Sequence, residues 1–89
     1  MDNNTTLDGN AAGGILREIF PFEMTVAEGT CAHCGSTRVV GELTVYKSAM
    51  GTVMRCPTCD NVLMRIVSTK GRYWLDMQGV RVLHIRTGQ

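Results

Sequence analysis

No apolar run in this 89-residue chain approaches the about 18 residues a membrane-spanning helix requires, and none is expected to span a bilayer. The opening Met1-Asp2-Asn3-Asn4 lacks the cationic and apolar stretches of a secretory leader, so a cytoplasmic protein is expected. The chain has no G-x-S-x-G, no glycine-rich phosphate loop closed by lysine and no H-E-x-x-H. Glu18 and Glu23 straddle Pro21 and imply no paired carboxylates, so no catalytic constellation is expected. The net charge is only +1 and no two bases are adjacent, which excludes a uniformly basic nucleic-acid coat protein.

What the chain does have is four cysteines in two C-x-x-C pairs, Cys31-Ala32-His33-Cys34 and Cys56-Pro57-Thr58-Cys59. Such a small domain has little margin from core burial alone and needs a staple. Two C-x-x-C pairs separated by roughly 15–20 residues are the spacing of a four-thiolate zinc site, because each tight turn aims two sulfurs at one ion and two turns complete a tetrahedron. Gly35 after the first pair and Asp60-Asn61 after the second tolerate a left-handed backbone, and Pro57 fixes φ inside the second turn. The rivals are disulfides, which suit an exported domain, and a redox pair of the Cys-Pro-x-Cys kind. The redox chemistry needs its first cysteine at a helix N-terminus, whereas Val62 to Val67 reads as a strand. A four-cysteine set is also closed, while catalytic zinc keeps an open position. Zn²⁺ on Cys31, Cys34, Cys56 and Cys59 in a structural role is the expectation, with His33 and His84 outside the ligand set.

Asp8 reads as an N-cap, and Ala12, Ile15, Leu16, Ile19 and Phe20 recur at helical spacing, giving an amphipathic helix over 10–20 that Pro21 stops. Its apolar stripe is expected to face the core. Gly13 and Gly14 each weaken the helix by about 1 kcal/mol against alanine, so it needs docking. Strands are expected over 38–47, 52–55, 62–68, 72–77 and 80–86. A two-residue turn at Lys70-Gly71 would set Val67 opposite Trp74, Ile66 opposite Leu75, Arg65 opposite Asp76 and Met64 opposite Met77. That register puts Met64, Ile66, Tyr73, Leu75 and Met77 on one face, expected to be buried, and Trp74 with the Arg65–Asp76 pair on the other.

These readings combine into a small α+β zinc ribbon: one N-terminal helix followed by an antiparallel β-meander, clipped by the four-cysteine zinc site. The expected organisation is a disordered terminus over 1–6, a helical arm over 7–24 and one zinc-ribbon β domain over 25–89. Residues 1–30 carry five acids and one base, and residues 31–89 carry eight bases and three acids. On alternating strands those bases can share a face. Arg55, Arg65, Lys70, Arg72 and Trp74 are therefore candidate contacts to a partner or to nucleic acid. The bland alternative is a solvated sheet face whose charges block edge pairing.

The chain also resembles an uncharacterised family of short bacterial proteins, a domain of unknown function. The resemblance rests on Leu7 to Gly13, Leu16 to Phe20, Gly29 to Gly35, Arg55 to Cys59, Val62 to Val67 and Trp74 to Asp76. It implies a zinc-ribbon core with an N-terminal helical arm and carries no activity with it. His33 and Asp60-Asn61 stand where smaller residues or glycine are expected. The expected function is a non-catalytic module that binds a protein or ribonucleoprotein. The alternatives are direct nucleic-acid binding through the basic sheet face, and a thiol redox or zinc-responsive switch. No membrane and no small-molecule substrate is implied.

Overall fold

A computed structural model of the chain describes residues 6–87. Residues 1–5, most of the terminus expected to be disordered, lie outside the described residues. The arm begins with a strand, β1 (Thr6–Asp8). Asp8 then caps as expected, its carboxylate accepting from the Asn10 backbone N–H at 3.1 Å. The first turn it caps is a 3₁₀ turn (Gly9–Ala12), and α1 follows over Gly13–Ile19. The helix expected over 10–20 is thus part 3₁₀ and part α. Its stripe does face the core: Ala12 and Leu16 are buried, and Ile15, Ile19 and Phe20 pack against the same cluster.

The strands are β2 (Glu28–Cys31), β3 (Thr37–Val39), β4 (Thr44–Ser48), β5 (Gly51–Arg55), β6 (Val62–Thr69), β7 (Arg72–Asp76) and β8 (Val80–His84). They form two antiparallel sheets and not the single meander expected. One has five strands in the order β1-β4-β5-β6-β7, and the other three, in the order β3-β2-β8. The run expected as one strand over 38–47 is broken by a 3₁₀ turn at Val40–Glu42 that moves the chain from the small sheet to the large one. At the other end β8 leaves the meander and pairs with β2, Gly29 opposite Leu83 and Thr30 opposite Val82. The large sheet therefore ends at β7.

The β6–β7 register is the one expected, with Arg65 opposite Asp76, Ile66 opposite Leu75 and Val67 opposite Trp74. Gly71 has a φ of +67°, the left-handed conformation its turn requires. Ile66 and Met64 are fully buried and Leu75 packs on them, while Trp74 points the other way. Tyr73 departs from expectation: it is 40% exposed. It lies towards the turn end of the hairpin, opposite Ser68, and the seven-residue α1, about 10 Å long, covers only part of that face. The phenol still reaches the helix, donating to Glu18 Oε1 at 2.6 Å.

One hydrophobic cluster joins the arm to both sheets, with Leu16, Met24, Leu43, Val45, Met54, Leu63, Met64 and Ile66 fully buried. A bulge between β5 and β6 lets successive residues Leu63 and Met64 both face inward. The β7–β8 turn closes tightly on β6. A Cβ on Gly79 would overlap the Val62 carbonyl oxygen, while the Gly79 carbonyl accepts from the Ala32 N–H at 2.9 Å.

Gly79→Ala is expected to destabilise the fold by about 2–3 kcal/mol through that overlap. Gly14→Ala, at a helical position with open space, is expected to stabilise by about 1 kcal/mol. Urea midpoints of the two variants, moving in opposite directions, check both.

Candidate metal centre

The centre is built from two copies of one backbone device. In the first, the Gly35 N–H donates to the Cys31 carbonyl at 3.0 Å, the Cys31 N–H donates to the Ser36 carbonyl at 2.9 Å, and Gly35 has a φ of +76°. In the second, the Asp60 N–H donates to the Cys56 carbonyl at 2.8 Å, the Cys56 N–H donates to the Asn61 carbonyl at 2.9 Å, and Asp60 has a φ of +66°. Each loop links two strands, β2 to β3 and β5 to β6. The left-handed residue of the second loop is Asp60, an aspartate where glycine is the natural choice. Aspartate is among the few side chains that visit this region. The Arg55 guanidinium holds the Asp60 carbonyl at 3.0 Å and stacks over the Tyr46 ring at 5.3 Å.

The two loops face one another across the sheets, and the four cysteine sulfurs all lie within 4.8 Å of each other. The short gaps cross between the loops, 3.6 Å from Cys31 to Cys59 and 3.7 Å from Cys34 to Cys56. These are free thiols, far outside the about 2.05 Å of a disulfide. Four thiolates at tetrahedral corners about 2.3 Å from one ion lie about 3.8 Å apart, so the sulfurs stand close to where a tetrahedral metal ion needs them. Cys31 and Cys56 are buried, Cys59 is half-buried and Cys34 reaches the surface.

Polar groups around the sulfurs favour negative charge. The His33 and Cys34 N–H groups approach Cys31 Sγ at 3.4 and 3.5 Å, and the Asn61 side-chain amide donates to Cys59 Sγ at 3.3 Å. That amide, with the Asn61 backbone, holds the Cys59 thiol down to about 6. At Cys34 the Ser36 backbone pulls the other way from the net effect: desolvation and the neighbouring thiols outweigh it and push the group up to about 11. Across the loops, Thr58 Oγ1 accepts from Arg38 Nη2 at 3.2 Å and meets Ser36 Oγ at 3.3 Å.

The four cysteines singled out from spacing are thus brought together. His33 is exposed, and His84 pairs instead with Glu28, Nδ1 to Oε1 at 3.2 Å. Arg55, Arg65, Arg72 and Trp74 project from one face of the large sheet, on the side opposite Ile66 and Leu75, and Lys70 sits in the turn at its end. Sequence reasoning missed Asn61 as a donor to sulfur and the Arg38–Thr58 bridge, because both depend on how the loops face each other. No helix among the described residues is long and apolar enough to cross a membrane.

Fold and site define a small α+β domain whose two antiparallel sheets meet at a four-cysteine cluster able to hold a metal ion. The chain belongs to a family of unknown function (DUF6510), whose model matches residues 2–88. No curated protein and no solved structure matches it.

Asn61→Ala is expected to weaken metal retention about tenfold or more, by removing a donor that favours the Cys59 thiolate. Protons then compete at higher pH, so the midpoint of acid-induced metal release rises. Release to a chromogenic chelator across pH 4–8 measures it. Asp60→Gly relieves the left-handed cost and retains the metal, whereas Asp60→Val is expected to lose about 1–2 kcal/mol of stability.

Proposed function

We propose that the four cysteines hold a structural Zn²⁺ ion and that the chain is a non-catalytic module that binds a protein or ribonucleoprotein. The observation that carries this is the convergence of four sulfurs within 4.8 Å from two matching loops. An all-thiolate set suits zinc, and four protein ligands leave no open position for water or substrate. Two features weigh against the thiol redox reading. Cys56 is followed by β6, with no helix N-terminus to activate it. The second C-x-x-C pair also converges on the same cluster, which a single redox pair does not require. The exposed surface is accordingly read as a binding surface.

Structural zinc contributes about 10–16 kcal/mol in small domains, against a usual net stability of about 5–15 kcal/mol. The purified chain is therefore expected to carry one zinc per molecule by elemental analysis. Stripping it with a chelator is expected to abolish cooperative structure across both sheets, read by amide dispersion in an NMR spectrum. A chelated chain with an unchanged spectrum counts against a structural ion. Thiols silent to alkylation until the ion is removed separate this role from a redox one.

A further inference from the structure

We infer that the outer face of the five-stranded sheet is a binding site for single-stranded nucleic acid, with Trp74 stacking on a base and Arg65 and Arg72 engaging flanking phosphates. This names a partner class for the binding module proposed above and rests on that reading for a rigid sheet.

The register is the first support. Trp74 stands opposite Val67, Arg65 opposite Asp76, and Arg72 opposite Thr69, so one face of the β6–β7 hairpin carries an aromatic ring between two guanidinium groups. Trp74 is 58% exposed, more than a ring of its size retains when packing is its role. At the far end of the same face, two strands away, Arg55 of β5 lies over the Tyr46 ring at 5.3 Å and is already engaged with the Asp60 carbonyl. A row of aromatic faces among basic groups is what a single strand requires, because every base has a face to stack and every linkage a charge.

The second support is how charge is partitioned. The ion pairs within 4.0 Å among the described residues are Arg17–Glu23 and His84–Glu28. Arg65, Lys70 and Arg72 thus keep their charge available, and Asp76 is the one carboxylate on this face of β5 to β7. Tyr73, on the opposite face, binds Glu18 of α1, so that carboxylate lies behind the sheet, while Asp8 stands on the outer face at the far edge strand β1. The third support is shape. Two grooves, of about 430 and 280 Å³, share Val62 and Arg65. One runs to His33 and Gln78 and the other to Met50 and Val67, so Arg65 lies between two grooves, while Trp74 and Arg72 stand outside both.

The test uses the full chain, with metal content measured on the same sample, and a short fluorescein-labelled oligothymidylate. Trp74 is the single tryptophan, so its emission reports stacking directly. The expected result is saturable anisotropy with quenching of Trp74. Two phosphate contacts give a slope of log affinity against log salt of about −1.4. Trp74→Ala is expected to weaken binding about tenfold with little change in that slope. Arg72→Glu should weaken it and flatten the slope, and both variants keep the fold because the residues are exposed. Absence of binding at low salt by a folded chain overturns the inference. So does polyglutamate binding as tightly as the oligonucleotide with Trp74→Ala neutral, which would make the face an acidic-peptide site. A chain that binds the strand while holding no metal sinks the structural-zinc reading and leaves this site standing. A zinc-loaded chain that binds no strand does the reverse.

Discussion

The meeting of four sulfurs from two loops is the constraint on which the rest of the molecule depends. Cys31 and Cys34 belong to the hairpin of the small sheet and Cys56 and Cys59 to that of the large one. Both hairpins present the same backbone turn, and each incoming strand pairs irregularly just before its first cysteine, at Thr30/Cys31 and at Met54/Arg55. Each bulge adds twist at the end of a strand, turning the loop towards its counterpart. Beyond the loops the sheets share one buried cluster built largely of Leu, Met and Val. A core of this size alone leaves a thin margin over conformational entropy. Without a cation the sulfur cluster adds a cost, since four crowded thiols desolvate and repel as they ionise.

Local features of the sequence carried into the structure wherever the physics was itself local. The C-x-x-C spacing placed the sulfurs, Asp8 placed the cap, and the segregation of Met64, Ile66 and Leu75 from Arg65, Trp74 and Asp76 set the β6–β7 register residue by residue. A one-residue slip would have put Trp74 against the core, so the register had one acceptable answer. The seven-residue α1 was visible as an apolar stripe. Its 3₁₀ entrance was not, because Gly9 serves a distant partner: a Cβ there would overlap the Val40 carbonyl.

What stayed hidden was pairing over long separations. β2 reads Glu-Gly-Thr-Cys, with no alternation to mark it, and it is a strand because β3 and β8 flank it and the cysteine loop follows. β8 was legible as a strand but not as a partner of β2, since alternation says which residues face inward and nothing about which edge is joined. The same limit concealed Asn61. An asparagine two residues after a cysteine reads as turn chemistry, and only the folded loop shows its amide on Cys59 Sγ with Asp60 taking the left-handed position.

Rigidity and the proposed recognition draw on different faces of one sheet, and this separates their energetics. On the inner face, Met54, Met64 and Ile66 are fully buried in the shared cluster and give rigidity without recognition. On the outer face, Trp74 keeps most of its ring in water and contributes little to folding, so its exposure has to be explained by something other than the core. A tryptophan on a free sheet edge is an aggregation liability unless charge guards it. Arg72 two residues before it and Asp76 two residues after supply that guard, and Arg65 beside Asp76 keeps the surface net basic. A guard alone would be served as well by lysine or glutamate without any aromatic. An exposed indole between guanidinium groups suits the proposed partner, whose flat bases meet the ring and whose negative charge meets the cations.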